Sequence, residues 1–244
     1  MPSTPGFFEN RILAALTPAE RARLTPALEP VTLTQDDVMY EPGGAIHYAY
    51  FPVDMIVSLL HVFEDGASAE FAIVGNDGMI GVPLVTGGGT MPFRSLVQST
   101  GMALRMKSAA FTNEFQRNEG LHDAVLRYMQ ALLVQMAQTA VCNRHHTVDR
   151  QLCRWLLLSL DRVPSRTLTM TQELIAGNLG VRREGVTIAA RKLQKLGAID
   201  YARGHITVLD RGKLEASSCE CYAVMRSETD RLLPLRAARR RRQV

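Results

Sequence analysis

The segment 169–193 holds the residues whose types and spacing are most suited to a specific chemical role. Leu174, Ile175 and Leu179 share one face of a short predicted helix, and Gly180 is placed to end that helix in a tight turn. A second helix is predicted to follow at once. Two helices joined by such a turn are the framework of a helix-turn-helix, so the segment predicts binding to double-stranded DNA.

The second predicted helix is apolar on one face and basic on the other. Its expected buried residues are Val186, Ala189, Leu193 and Leu196. On the other face, Arg183, Thr187 and Arg191 are four residues apart and therefore point in one direction. Glu184 lies beside them. A helix fits the major groove of DNA, where arginine can bond guanine and glutamate can accept from cytosine. The alternative is an amphipathic surface helix whose charges are only solvated.

Residues 197–209 contain two short β-prone runs on either side of Arg203-Gly204. This pattern predicts a hairpin of the kind called a wing. Arg203 and His205 lie at its tip, where both side chains suit contact with DNA phosphates. A helix-turn-helix followed by a wing is a more specific signal for DNA binding than the two helices alone.

Charge is divided unevenly along the 244 residues, with a net charge of −6 in residues 1–149 and +10 in residues 150–244. A basic C-terminal half points to a nucleic-acid partner for that half. No apolar stretch reaches the roughly 18 residues that a membrane-spanning helix requires. The first residues have no basic region followed by an apolar one, so no secretory signal is predicted. We therefore expect a cytoplasmic protein without a membrane partner.

Upstream of the DNA-binding segment, the pattern predicts an α+β protein. Residues 7–29 have helical spacing, and residues 31–106 alternate short β-prone runs with breaks rich in glycine, proline and aspartate. Many short strands at regular spacing are typical of a barrel or jelly roll. Residues 109–146 and 148–160 are predicted to be helices, and the polar segment 143–149 is the candidate hinge between them.

The helix predicted over 109–146 carries a heptad seam that we expect to mediate homodimerisation. The expected dimerisation residues are Leu121, Val125, Tyr128, Leu132, Gln135, Thr139 and Cys142. A second apolar stripe, about 100° around the helix, consists of Leu126, Met129, Leu133, Met136 and Ala140. A helix with two apolar stripes needs two covering surfaces, so we expect its own roll on one side and a partner helix on the other. The alternative is a helix buried within one monomer.

In this order, the roll, the long helix and the winged helix resemble the Crp/Fnr family of transcription regulators over about residues 20–210. The most specific part of the resemblance is the run Gly-Val-Arg-Arg-Glu-Gly-Val-Thr at 180–187, which is similar to the recognition segment of that family. The resemblance implies that Arg183 and Glu184 read base edges and that Thr171 bonds a phosphate at the start of the first helix.

Two positions of the recognition segment depart from the family pattern. Arg182 stands where the family usually has serine or threonine, and we expect it to add a phosphate contact. Gly185 replaces the usual threonine and loses its hydroxyl group. The preferred DNA sequence is therefore expected to differ from that of typical relatives.

The resemblance also implies an architecture and partners. We expect a cyclic-nucleotide-binding-like β-roll that acts as a sensor at 1–115 and a dimerisation helix with its hinge at 116–146. A winged-helix domain with a C-terminal helix is expected at 147–233, followed by a disordered basic tail at 234–244. A homodimer of this kind would read an inverted repeat and regulate transcription with RNA polymerase as a partner.

The family's roll binds a cyclic nucleotide through a Gly-Glu pair and a later Arg-Ser or Arg-Thr. Here the matching stretch is 78–84, followed by Arg94 and Ser95, and Val82 occupies the position of the glutamate. Valine cannot accept from a ribose hydroxyl, and leaving that group unpaired costs about 1–3 kcal/mol. Gly81, Arg94 and Ser95 are the candidate ligand-binding residues, but cyclic AMP is not the expected ligand. Two alternatives stay open. The roll could bind another small effector, or it could be only a scaffold or respond to another signal.

The four cysteines, at positions 142, 153, 219 and 221, contain no Cys-x-x-Cys pair. Cys219 and Cys221 are too close together for an ordinary zinc knuckle, so small buried thiols are predicted, with no metal and no cofactor. Thiol-redox control of DNA binding, or a regulator without a ligand, is the alternative function. Haem ligation by His47 or His61 also stays open. We find no nucleophile elbow, metal-ligand spacing or phosphate loop, so an enzyme is not expected.

Overall fold

Two antiparallel sheets form the N-terminal β-roll in the computed structural model, which describes residues 6–117 and 119–234. The strands of the roll are β1 (Glu29–Leu33), β2 (Val38–Tyr40), β3 (Tyr48–Pro52), β4 (Ile56–Val62), β5 (Ser68–Val74), β6 (Arg94–Ser99) and β7 (Gly101–Lys107). One sheet has the order β1-β7-β3 and the other β2-β6-β4-β5. The apolar side chains between the sheets form the first hydrophobic core, and the predicted roll is confirmed.

The region expected to be one helix over 7–29 is instead two short helices, α1 (Arg11–Ala15) and α2 (Pro18–Leu24), followed by a 3-10 turn. The break falls before Pro18, which has no backbone N–H to continue a helix. Thr17 caps α2, since its Oγ1 accepts from the Glu20 N–H while a Glu20 carboxylate oxygen accepts from the Thr17 N–H. This reciprocal capping box favours a new helix over a continuous one.

The helices that follow agree with the sequence pattern. They are α3 (Pro83–Thr86), α4 (Ser108–Arg117), α5 (Glu119–His145) and α6 (Val148–Leu160). The segment predicted as one helix over 109–146 corresponds to α4 and α5, with residue 118 outside the described residues. Of the candidate hinge at 143–149, only residues 146–147 lie outside α5 and α6, because the helical hydrogen bonds continue through the polar residues on either side. None of the helices in the described part of the chain is long and apolar enough to cross a membrane.

The C-terminal region is a winged helix with two extra helices. Its elements are β8 (Thr167–Thr169), α7 (Gln172–Leu179), α8 (Arg183–Lys195), β9 (Ile199–Ala202), β10 (His205–Val208), α9 (Arg211–Ser217) and α10 (Glu220–Leu232). The three strands form a sheet of order β8-β10-β9, and β9 and β10 are the predicted hairpin. The predicted disordered tail lies outside the described residues except for Pro234.

The predicted dimerisation seam faces the chain's own fold, so the assignment of these seven residues to a partner is wrong. Leu121, Val125, Tyr128, Gln135, Thr139 and Cys142 are buried within the monomer, and Leu132 is partly buried. Tyr128 Oη donates to the Met79 carbonyl over 3.0 Å, and Gln135 Nε2 donates to the Ile73 carbonyl over 3.0 Å. A heptad seam marks a packed face of a helix, but it does not say which surface covers that face.

The second stripe of α5 is the one that faces outward. Leu126 is 45% exposed, Leu133 is 59% exposed and Ala140 is also exposed. Met129 and Met136 lie along the same side and are only partly buried. Among the described residues, this stripe therefore supplies the uncovered apolar surface of the long helix.

A buried ion pair joins the winged-helix region to the roll. Arg162, just after α6, lies 2.7 Å from Asp77 in the turn after β5, with both side chains nearly inaccessible. Arg162 also donates to Gln135 Oε1 over 2.8 Å and to the Leu158 carbonyl over 2.8 Å. Gly75 makes room for this arginine, because a Cβ there would lie 2.5 Å from Arg162 Cβ. Three segments of the chain thus meet at one guanidinium group.

A second polar contact crosses the same boundary. Trp155 Nε1 on α6 donates to Glu70 Oε1 on β5 over 2.8 Å, and both side chains are buried. Burial raises the pKa of Glu70 to about 7, although its hydrogen bonds and the nearby arginines oppose the shift. Folding therefore favours the protonated carboxyl group at this position.

We expect Glu70 to make the protein less stable as the pH rises. Its pKa is about 7 when folded and 4.5 for the free group, so its stabilising contribution is complete below pH 4.5 and is lost as the pH passes 7. Between pH 5 and 8 the loss is roughly 2–3 kcal/mol. Urea unfolding of the wild type and Glu70→Gln across this range measures it, because the glutamine variant lacks this titration.

Glu64→Gln is the matched control, since Glu64 is exposed in the loop between β4 and β5. Its pH profile should follow that of the wild type. Parallel profiles for the wild type and Glu70→Gln would contradict the assignment.

Candidate nucleic-acid interface

The turn between α7 and α8 has the geometry that the sequence predicts. Thr171 caps α7, with Oγ1 accepting from the Leu174 N–H over 3.1 Å. Gly180 ends α7 in the left-handed conformation at φ 64°, where a side chain would be strained. The Val181 N–H then returns to the Ala176 carbonyl over 3.0 Å. This turn fixes the direction in which α8 leaves α7.

The helix α8 buries its apolar face against α6 and α7. Val186, Ala189, Ala190 and Leu193 are buried there. Leu196 was expected to join them but is 47% exposed, because the helix ends at Lys195 and Leu196 lies beyond the packed face. A Lys192–Asp149 ion pair of 3.1 Å links α8 to α6 at the surface.

The opposite face of α8 is free for a ligand. Arg182, Arg183, Glu184 and Arg191 are exposed, and none of them forms an ion pair with another described residue. Ile188 is 57% exposed in the middle of this face. An unpaired basic helix face with one carboxylate and one apolar side chain can contact phosphates, base edges and a thymine methyl group.

Thr187 is oriented differently from its neighbours. Its hydroxyl donates to Gln172 Oε1 over 2.7 Å and lies 3.1 Å from the Arg183 carbonyl. The side chain is therefore engaged between α7 and α8 rather than free on the basic face. The sequence pattern did not predict Gln172 as a member of this site, since helical spacing within α8 says nothing of contacts made with α7.

Three of the predicted DNA-binding residues meet in one cleft. Thr171, Arg183 and Arg203 line a surface cavity of about 310 Å³ together with Gln172, Tyr201 and Gly204. Tyr201 Oη donates to the Met170 carbonyl over 2.9 Å, which holds the wing against the start of α7. Burial raises the pKa of Tyr201 while the charge of Arg183 opposes the shift, so these two groups are close. Two guanidinium groups beside a helix N-terminus suit a phosphate.

The wing carries the remaining candidates. Arg203 adopts φ 51° at the hairpin turn, a left-handed conformation that non-glycine residues seldom take. His205, at the start of β10, is exposed and its Nδ1 lies 3.2 Å from Thr169 Oγ1. Both residues stand beside the cleft, whereas Arg191 lies two turns further along α8.

The three candidate ligand-binding residues of the roll do not form one site. Gly81 lines an apolar cavity of about 240 Å³, which neither Arg94 nor Ser95 lines. Arg94 forms a two-bond ion pair with Glu41, at 2.8 and 2.9 Å, and Ser95 is fully buried. Arg94 is thus neutralised at the surface by Glu41, whereas Ser95 on the next position points into the protein. Their prediction as a joint anion site is wrong.

The apolar cavity lies between the roll and α5. Its lining residues are Leu59, Met79, Ile80, Gly81, Val82, Pro83, Thr86, Met91, Pro92, Phe93, Met129, Leu132, Leu133 and Met136. No charged side chain and neither of the histidines considered for haem is among them. The cavity can therefore hold an apolar group but offers no partner for a buried phosphate.

Comparisons with known proteins agree with this architecture. The family model described as the Crp-like helix-turn-helix domain matches residues 150–217. A Crp/Fnr-family regulator from Eubacterium rectale superposes with a TM-score of 0.64 at 14% identity, covering 84% of this chain and 96% of its own. A CRP-family regulator from Thermus thermophilus gives 0.65 at 18% identity, covering 77% and 96%.

A third similar structure is the c-di-GMP-responsive regulator CLP of Xanthomonas campestris, with a TM-score of 0.62 at 14% identity, covering 79% of this chain and 99% of its own. No curated protein sequence matches the chain. Residues 150–217 are thus a Crp-like helix-turn-helix domain, and the described chain as a whole has the fold of the Crp/Fnr transcription regulators.

Proposed function

We propose that the protein is a homodimeric, sequence-specific DNA-binding regulator of transcription whose α8 helices read an inverted repeat. The observation that carries this proposal is the exposed face of α8, where Arg183 and Glu184 form no ion pair with another described residue and lie beside a cleft that also contains Arg203. Bases and phosphates would satisfy these charges. Two such helices related by a twofold axis would contact half-sites about 34 Å apart.

Selection from a random DNA pool with the full-length protein tests this proposal. We expect an inverted repeat for the wild type. Arg183→Ala should lower the specific affinity by about 1–3 kcal/mol and relax the preference at one base of each half-site. Arg231→Ala is the matched control, because Arg231 lies in the last turn of α10 and pairs with Glu228. An unchanged motif and affinity in Arg183→Ala would contradict the assignment of α8.

The outward stripe of α5 supports a second copy of the chain as the partner. Leu126, Met129, Leu133 and Met136 repeat at spacings of three and four, the pattern by which two helices pack side by side. A helix exposing several large apolar side chains in one row is more stable when that row is covered, by about 1.5–3 kcal/mol for each fully buried side chain. The helix is 27 residues long and offers the whole row to a partner helix.

We expect Leu133→Glu to convert the dimer into a monomer, because it places a charge in the middle of this row. Light scattering after size exclusion should give twice 27.0 kDa for the wild type and 27.0 kDa for the variant. Arg127→Glu is the control, since Arg127 is exposed on another side of the same helix. A variant that stays dimeric would place the interface elsewhere.

The cavity supports control by a small apolar effector rather than a cyclic nucleotide. Met129, Leu132, Leu133 and Met136 of α5 line it, so a bound molecule would touch both the roll and the proposed dimer stripe. Such a ligand would shift the equilibrium between two arrangements of α5 only if it binds one arrangement more tightly than the other. RNA polymerase as a partner, and a cytoplasmic location, are further parts of this proposal that rest on the resemblance.

We expect the neutral fluorophore N-phenyl-1-naphthylamine to bind the cavity and cyclic AMP not to displace it. Thr86→Trp, at the exposed mouth of the cavity, should abolish the fluorescence increase by filling the entrance. Thr90→Trp is the control, because Thr90 is exposed nearby but does not line the cavity. Displacement by cyclic AMP, or equal binding to Thr86→Trp, would contradict an apolar effector site.

A further inference from the structure

Three cysteines and one histidine meet where α5 ends and α10 begins. Cys142 and His146 are one helical turn apart at the C-terminal end of α5, and Cys219 and Cys221 lie at the start of α10. The Sγ atoms and one ring nitrogen all lie within 4.8 Å of one another. The three cysteines are buried, so four donor atoms of soft or borderline type converge on one enclosed point.

Two of the six distances among the donor atoms agree with the edges of a metal-binding tetrahedron. Cys142 Sγ lies 3.6 Å from Cys219 Sγ, and Cys221 Sγ lies 3.6 Å from His146 Nδ1. Zinc bonds of about 2.3 Å to sulfur and about 2.0–2.1 Å to nitrogen give edges of about 3.8 Å between two sulfurs and about 3.6 Å between sulfur and nitrogen. Small movements of the remaining pairs would complete the tetrahedron.

The surroundings orient these groups as ligands. His146 Nε2 lies 3.4 Å from the Glu220 carboxylate, so a proton on Nε2 leaves Nδ1 free to bind a metal. A carboxylate behind a histidine in this way is the usual support of a zinc-bound imidazole.

We propose that Cys142, His146, Cys219 and Cys221 form a four-coordinate zinc site that holds the hinge between α5 and α6. Three thiolates and an imidazole without an open position are typical of structural zinc rather than catalytic zinc. The site with its ion would carry a net charge of −1, and the buried Arg154 close to Cys142 would balance it. Because His146 directly precedes Thr147, the N-cap of α6, the ion would fix the point where the DNA-binding domain leaves the long helix.

The metal content of the full-length protein, purified under reducing conditions without a metal-binding tag, tests this inference. We expect about one zinc per chain in the wild type and in Cys153→Ser, and less than a tenth of that in Cys219→Ser. Cys153 is the matched control, because it is a buried free thiol outside the cluster. Equal zinc content in the wild type and Cys219→Ser, or no zinc in the wild type, would overturn the proposal.

Substitution with Co²⁺ gives a readout that does not depend on any variant folding. Tetrahedral coordination by thiolates produces intense visible absorption, whereas binding to scattered surface groups does not. We expect this spectrum from the wild-type protein, and its loss on titration with Zn²⁺. His146→Gln, which leaves all thiols in place, should bind Co²⁺ at least tenfold more weakly. A weak octahedral spectrum, or no visible absorption from Co²⁺ in the reduced protein, would overturn the site.

Discussion

The position of the DNA-binding surface depends on the buried pair of Arg162 and Asp77. Burying two charges is unfavourable unless their remaining hydrogen-bonding groups are satisfied. Here the guanidinium group also bonds Gln135 and the Leu158 carbonyl, so its charge is surrounded by acceptors. Removing one partner from such a pair leaves an uncompensated charge, at a cost of about 3–5 kcal/mol. The roll, the long helix and the winged helix are therefore held in register at this point, because losing either charge would leave the other one buried and unpaired.

The same boundary is lined by contacts that require close approach. Gly177 of α7 lies against Ser68 of β5, where an added Cβ would come within 3.3 Å of Ser68 Oγ, so α7 packs closely on the roll. Ile56 and Ile73 of the roll enter the hydrophobic core of the winged helix. A change in the orientation of α8 must therefore break polar and apolar contacts together. Such coupling is what a two-state regulator needs, since small movements of loosely packed surfaces would not be transmitted.

The local sequence pattern was sufficient to predict the elements that depend on residues a few positions apart. Gly180, the apolar spacing of α8 and the Arg203-Gly204 hairpin predicted the winged helix, because each depends on residues a few positions apart. The face that α5 turns toward the roll was not predictable in this way. Both stripes carry large apolar side chains. The hydrogen bonds of Tyr128 and Gln135 to the carbonyls of Met79 and Ile73 show which stripe packs against the roll.

The candidate sites illustrate the same limit. Arg94 looked like an anion ligand because of its neighbour Ser95, but Glu41, more than 50 positions away, neutralises it. The cysteine and histidine cluster was not predictable from spacing alone, because its halves are separated by more than 70 residues and Cys219 and Cys221 are too close together for an ordinary zinc knuckle. The pair Cys142 and His146, one turn apart on a helix, was the one local signal that two donor groups share a face.

The helix α10 brings the chain back to the N-terminal helix α1. Arg11 of α1 bonds Asp230 over 2.7 Å and the Leu233 carbonyl over 3.2 Å, and Leu233 is buried in the core of the roll. The winged helix is thus tethered to the roll at both of its ends, through α5 on entry and through α10 on exit. A domain held by one linker can swing freely, whereas one held by two can only turn about the line that joins them. The path of the last helix therefore gives the winged helix one more attachment to the roll, which limits the rotation open to α8.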